Sequence, residues 1–550
     1  MPKRRGVPSK AVPLTFIWIA LSVASRAGTT IPVTTTADDL AIDGDCTLRE
    51  AVIAANTDLP VDRCPAGSGA DTILLPAGTY VLSLTGPGED ASQSGDLDIS
   101  SDVTIRGAGA AVTYIDGGSF SEPVSDRVIH ILNGAGLTLS GVTVQGGVCS
   151  LGGGIFNAGR LFVGEGTIRN NLATERASYC GPGGGGGGIY NQGELRMTRS
   201  TVSGNEVLGL LGEVDVSYPG GGLLNVGNAK IEQSVLVGNA AAGGGGIWNV
   251  GDLKLTDTWI AHNRARFWAA GLENRGRSFL DRTTVSDNSD GGIVNGSFDL
   301  VPGTLILRNS TLSGNRSFRL AGSLFNFDGP IDVLSSTVAA NSSSQPGAGL
   351  GGATPQMRLR NTILANGADG DCQGPVTSLG NNLDSDGSCG LSASSDLPAT
   401  DAQLVPLSEN GGFTPTHALT EGSPAIDHIP TGQCGVSTDQ RGISRPQPRS
   451  GACDVGAYEF APSVDLSLTI DTVRRLGREH RLTRTQRSSL LGFLKPALTS
   501  VTNGDEAAAC ETLDAFSAEV SAYLGEGSVA PEDGRSLLDF ADRIQHILCP

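Results

Sequence analysis

The 550-residue chain has little positive charge: five lysines, 38 Lys plus Arg against 57 Asp plus Glu, and a net charge of -19. Nucleic-acid phosphates would be repelled by such a surface, so a nucleic-acid partner is excluded. Beyond residue 24 no apolar run reaches the ~20 residues that span a bilayer, so no transmembrane segment is expected in the mature chain. The tight C-x-x-C spacing of zinc sites is also missing, and no acidic stretch fits a 12-residue calcium loop with its distal Glu. No metal or cofactor is therefore expected, with Ca²⁺ the weak exception. "DGDC" (43–46), "SGDLDIS" (94–100) and "DSDGSC" (384–389) read as turn-capping aspartates.

At the N-terminus Lys3, Arg4, Arg5 and Lys10 precede the apolar run 11–24, and Ser25-Arg26-Ala27 follows as a small-x-small cleavage pattern. Residues 1–27 read as a secretory signal peptide, and the mature protein is expected outside the cytoplasm or on the cell surface. Ten cysteines fall into five pairs near in sequence: Cys46 with Cys64, Cys149 with Cys180, Cys372 with Cys389, Cys434 with Cys453, and Cys510 with Cys549. In an oxidising compartment these are expected to be disulfides.

The 78 glycines are concentrated in a repeat. "GGGIYNQGELRMTRSTVSGN" (186–205) recurs with a first Asn at 157, 191, 225, 249 and 274 and a second at 171, 205, 239, 263 and 288, each pair 14 apart. Weaker copies follow at Asn295/Asn315 and Asn326/Asn341, and a degenerate one ends at Asn366. Between the asparagines, Met197, Ile231, Leu255, Leu280, Leu307 and Val333 form one aliphatic column. Val202, Leu236, Ile260, Val285, Leu312 and Val338 form another. Like residues one repeat apart are what stacked coils about 4.8 Å apart produce. The expected fold class is mainly β, a parallel β-helix over 28–461, with Gly-Gly/Asn coils at 152–366 and irregular coils and a cap at 367–461. The asparagines are expected to stack as an amide ladder and to be structural. Two coils carry insertions, 171–184 and 206–220, which fall on one face.

"CTLREAVIAAN" places Leu48, Ala51, Val52 and Ala55 at helical spacing, so 46–58 reads as a helix capping the open end of the solenoid. This segment resembles the CSLREA domain, and "GSPAID…TDQRGISRP…CDVGAYEF" is similar to the choice-of-anchor Q domain of exported bacterial proteins. The coils also resemble polymorphic outer-membrane protein repeats. The resemblance implies a right-handed, pectin-lyase-like β-helix on an exported protein and brings no catalytic residues. In place of the sorting signal, membrane segment or barrel that ends such proteins, 465–550 turns to helical periodicity. Thr483/Gln486 and Asn503/Glu506 read as capping boxes, and Pro531 as a first helical turn. This module is expected to fold as a separate unit. Its basic run, Arg474 to Arg487, reads as a solvated helix face.

For function, the outward turn residues Arg199, Gln233, Asp257, Arg282 and Asn309 read as a solvated face with an Asp257–Arg282 pair. Two columns stand out. Arg196, Lys230 and Lys254 should point outward on three consecutive coils, where like charges call for an anion or solvent between them. Phe156, Tyr190, Leu224 and Trp248 form an outward apolar column that could stack on sugar rings or be covered by loops. Together they are the expected ligand surface for a polysaccharide or cell-surface glycan. The expected function is a non-catalytic exported protein of adhesion or polysaccharide contact. The alternative is a polysaccharide lyase or glycoside hydrolase whose carboxylates converge only on folding.

Overall fold

The structure is a computed structural model. It describes residues 28–549 apart from 87, 119–125, 176–179, 181–182, 210–218, 298–300, 346, 353–355, 367–369, 375, 421 and 448–450. The expected signal peptide and parts of both insertions lie outside the described residues.

The chain winds as a parallel β-helix. Sheet I holds 13 strands from Thr30–Pro32 to Thr377–Ser378, sheet II another 13 from Gly78–Val81 to Leu397–Pro398, and sheet III 11 from Leu97–Ile99 to Cys372–Gln373. A shorter sheet IV joins five strands between Val148–Cys149 and Arg264–Trp268. Every pairing between these strands is parallel, and the register superposes the columns read from the sequence. Val163, Met197, Ile231, Leu255, Leu280, Leu307, Val333 and Leu359 are successive partners in sheet I. Ile168, Val202, Leu236, Ile260, Val285, Leu312 and Val338 are successive partners in sheet II. All of these side chains are buried in one continuous core.

Both asparagine series form ladders inside the corners. Along the first, Nδ2 of Asn157, Asn191, Asn225, Asn249, Asn274 and Asn295 each donates to Oδ1 of the next, ending at Asn326. The second runs from Asn171 to Asn366, where Oδ1 of Asp371 takes the last donor. These amides are buried, and within the stack each is paired above and below, only Asn157 Oδ1 at the start of the first ladder lacking a donor, so they fix the coil-to-coil register instead of opposing burial. The glycine run sits where coils approach most closely. A Cβ at Gly222 would lie 2.6 Å from the Gly246 carbonyl oxygen and 3.1 Å from the Asn239 amide.

Helix α1 (Leu48–Thr57) closes the N-terminal end, with Thr47 and Glu50 completing a capping box. Its apolar face packs on Asp71–Leu75 and Leu97–Ile99. Arg49 of the same helix is fully buried. It pairs with Asp38 at 2.6 Å and donates to the carbonyls of Ser92, Gly95 and Asp96.

At the other end, residues 402–461 do not extend the stack. They fold back over the outer face of sheet II, where Gln440 bridges Thr284, Thr311 and Thr414, and the Ala457 N–H donates to Thr337. The "DQRGISRP…DVGAYEF" residues build this cap: Arg441 pairs with Asp439 at 2.9 Å, and Arg445 with Glu459 at 3.0 Å, all buried.

Four helices follow: α2 (Pro462–Arg478), α3 (Arg484–Thr502), α4 (Glu506–Gly525) and α5 (Pro531–Leu548). They share an apolar core of their own, including Leu494, Phe516, Leu537 and Ile544. Thr483 and Gln486 form the expected capping box, and Pro531 opens α5. Asn503 does not cap α4: it ends α3, and the Asp505 carboxylate accepts from the Ala508 N–H instead. The seam with the β-helix is not a free linker. Helix α2 begins at Pro462, and Asp465 is buried against Arg441 at 2.7 Å and the Tyr458 hydroxyl at 2.6 Å. In the basic run, Arg474, Arg475 and Arg481 pair with Asp471, Glu479, Glu532 and Asp533.

All five cysteine pairs are disulfides, as an oxidising environment favours. No helix among the described residues is long and apolar enough to cross a membrane.

Candidate functional site

Register decides what the two sequence columns become. Arg196 pairs with Lys230 and Lys230 with Lys254 on the outer face of sheet I, as expected. The same rung carries Phe162 before Arg196 and Phe279 after Lys254. Five consecutive coils therefore present Phe, Arg, Lys, Lys, Phe in line. An open groove of about 560 Å³ runs along this ladder, lined by Arg196, Lys230, Lys254, Arg277 and Phe279 among others. A second, of about 400 Å³, adjoins it at Phe162 and shares Glu194 and Arg196.

Charge along the ladder is only partly neutralised. Lys230 meets Glu232 at 2.7 Å, and the Arg277 guanidinium beside Asp252 holds that carboxyl below its usual range. Arg196 is exposed and has no carboxylate partner among the described residues. Lys254 lies 5.7 Å from the centre of the Phe279 ring. The outward turn residues are left-handed, with φ of 46° to 50° for Arg199, Gln233, Asp257, Arg282 and Asn309. Arg199 and Gln233 are exposed and Arg282 pairs with half-buried Asp257 at 2.8 Å, but Asn309 is buried, so the solvated face ends before it.

Phe156, Tyr190, Leu224 and Trp248 also fall in one rung, but on sheet III. They do not line either sheet I groove. Leu224 is buried and the three aromatics are half-buried. Phe156 and Tyr190 rings stand 5.0 Å apart, and Arg275, held by Glu273 at 2.8 Å, covers Trp248 at 4.1 Å. The structure thus brings Arg196, Lys230 and Lys254 together, adds Phe162 and Phe279, and places Phe156, Tyr190 and Trp248 elsewhere. Phe162 and Phe279 were within reach of the sequence: extending the Arg196 column by one repeat each way lands on them.

The sheet III rung continues backward to His130 and Asp98. Here "SGDLDIS" departs from the turn-cap reading. Arg127 Nε lies 3.2 Å from Asp96 and 3.7 Å from Asp126, while His130 Nδ1 lies 3.3 Å from Asp98 and 3.5 Å from Asp90. Burial pushes the carboxyls of Asp96, Asp98 and Asp126 up; at Asp96 the neighbouring Asp126 and Asp98 charges add to it. The Cys149–Cys180 disulfide closes over this corner, with Cys180 Sγ 3.3 Å from Asp126. Asp96 and Asp126 are only 4% and 7% exposed, so neither offers a carboxyl to a sugar chain in an open cleft. No repeat marks these residues; only the pairing of "LDI" with "IHI" does.

Among the described residues, three groups of His, Cys or carboxylate donors come within 4.8 Å of one another. In the first, Asp126, Cys149 and Cys180, the cysteines are consumed by their disulfide. In the second, Asp371, Asp384 and Asp386, all six carboxylate oxygens accept hydrogen bonds from the surrounding loops, as turn-capping requires. The third is Asp90, Asp98 and His130. "DGDC" is a turn as well: the Asp45 N–H bonds Asp43, and the Gly44 N–H bonds Asp62.

Asp384, buried and beside Asp371 and Asp386, has its carboxyl pushed up to about 7 from 3.8. The folded state then holds a proton that the unfolded chain has lost, so stability falls as pH rises between about 4 and 7. Thermal melts are expected to shift downward from pH 5 to pH 8, and Asp384→Asn to flatten part of that slope. An unchanged slope in the variant would remove this assignment.

Compared against known protein families, curated proteins and solved structures, the chain gives no match.

Proposed function

We propose that this is an exported β-helix protein that holds an acidic polysaccharide along the outer face of sheet I, for adhesion or matrix contact. The observation that carries the reading is the Phe162–Arg196–Lys230–Lys254–Phe279 ladder. Coils about 4.8 Å apart repeat a cation at the scale of a sugar ring. Stacked like charges are costly without an anion between them, and the chain places two of its five lysines here despite a net charge of -19. Rings at both ends give stacking faces, each contact contributing about 0.5–2 kcal/mol. Export is supported by the N-terminal basic–apolar–small pattern and by the five disulfides. The likeness to CSLREA and choice-of-anchor Q proteins agrees with it, and the residues that carry the likeness include Arg49, which ties the capping helix to the 92–96 loop, and Arg441 and Arg445, which hold the cap. The lyase or hydrolase alternative has the Asp96–Arg127–Asp126 corner in its favour, and the burial of those carboxyls against it.

The test is a panel of immobilised acidic and neutral polysaccharides, read for both binding and cleavage. Salt-sensitive retention on linear polyuronates or sulfated polymers, without retention on neutral glucans and without cleavage, is expected. Failure to bind any acidic polymer would end the proposal, and cleavage would favour the alternative.

A further inference from the structure

The group at Asp90, Asp98 and His130 lies on a different sheet from the proposed polymer strip and serves neither the strip nor the core. Asp98 stands in the strand Leu97–Ile99 and pairs across the coil with His130 of Ile129–Ile131, so backbone register alone brings carboxylate and imidazole side by side. Asp98 is fully buried, yet its Oδ1 accepts no hydrogen bond. A buried carboxylate oxygen whose facing group is an imidazole nitrogen at 3.3 Å, without hydrogen-bond geometry, is expensive unless something cationic meets it. Asp98 Oδ2 is held by the Ser92 N–H at 2.9 Å, which fixes the direction in which Oδ1 points. His130 is likewise fixed, its ring edge-on to Phe156 with centroids 5.1 Å apart.

The distances fit a metal-bridged arrangement better than direct hydrogen bonds, with all three donor atoms within 4.8 Å of one another. His130 Nδ1 lies 3.3 Å from Asp98 Oδ1 and 3.5 Å from Asp90 Oδ1, longer than the ~2.9 Å usual for N–H···O. Ligands around a tetrahedral ion with bonds of ~2.0–2.1 Å stand about 3.3 Å apart, which matches both. One imidazole with two carboxylates suits Zn²⁺ or Co²⁺, whereas Ca²⁺ takes six or more oxygens.

We propose that Asp90, Asp98 and His130 form a binding site for a zinc-class divalent cation, with a fourth position left to water at the head of the Phe156–Tyr190 column. The Ser92 N–H and Arg49, which donates to the Ser92 carbonyl, are the outer hydrogen bonds that orient the ligand from Asp98.

The test uses the whole untagged chain, stripped with chelator and titrated with Co²⁺ while its visible absorption is followed. Saturation at one Co²⁺ per chain, reversal by Zn²⁺ and indifference to Ca²⁺ are expected. Asp90 is exposed, so Asp90→Asn should fold normally and weaken Co²⁺ by at least the roughly 10- to 100-fold that loss of an outer-shell partner costs; His130→Gln should abolish the spectrum. Asp386→Asn, in the saturated carboxylate group, should bind as wild type. Absence of saturable binding, full affinity in both Asp90→Asn and His130→Gln, or displacement by Ca²⁺ would overturn the site. None of these outcomes bears on polymer binding at sheet I.

Discussion

Replacing Asn239 by alanine is expected to cost about 3–5 kcal/mol of stability. Asn239 Oδ1 accepts from the Asn205 backbone and side-chain amides, and its Nδ2 donates to the Val202 carbonyl and Asn263 Oδ1, all at 3.0 Å. Alanine removes both ends at once and leaves these buried groups unpaired in the middle of the stack. Because each coil touches only its neighbours, the loss should also weaken coupling between the two halves. Denaturant unfolding followed by β circular dichroism should show an earlier midpoint and a broadened or two-step transition. A loss below about 1 kcal/mol would mean that the ladder is not what sets the register.

The second large effect is expected at Arg441. Its guanidinium is fully buried, pairs with Asp439 and Asp465, donates to the carbonyls of Asn410 and Glu459, and lies 3.7 Å from the centre of the Tyr458 ring. Arg441→Ala strands two carboxylates and should cost about 3–5 kcal/mol. Asp465→Ala should cost less, because Asp439 still balances the guanidinium. The same pair measures how separable the helices are. A chain ending at residue 461 keeps the continuous coil core but loses Asp465, so it should retain its β signal with a lowered melting point. An unchanged melting point would show that the seam contributes nothing.

Periodicity explains what was legible in the sequence. Met197, Ile231 and Leu255 repeat because each must meet its equivalent one coil away, and the same rule put Arg196, Lys230 and Lys254 on one outer rung. Which sheet a column belongs to depends on the corner between strands. Phe156 and Arg160 are four residues apart yet lie on sheets III and I, so the aromatic and basic columns read as one surface when they are two. The Asp98–His130 corner was not legible because it precedes the regular cassette, and its carboxylates resemble ordinary turn caps until the coils stack. Asn503 was misplaced by two residues because Asn503 and Asp505 both suit a cap, and only the path of the chain between α3 and α4 chooses Asp505.

The measurement that tests the functional reading most directly is the affinity of an Arg196→Ala, Lys230→Ala, Lys254→Ala variant for a linear polyuronate, beside wild type and a Tyr190→Ala, Trp248→Ala variant. All three residues of the first variant point outward, so its melting point should match wild type. Its affinity should fall by at least about tenfold, and its dependence on salt should become shallower. The aromatic variant, altered on sheet III, should bind as wild type. Wild-type affinity in the triple variant, with folding intact, would contradict the assignment of sheet I as the binding face.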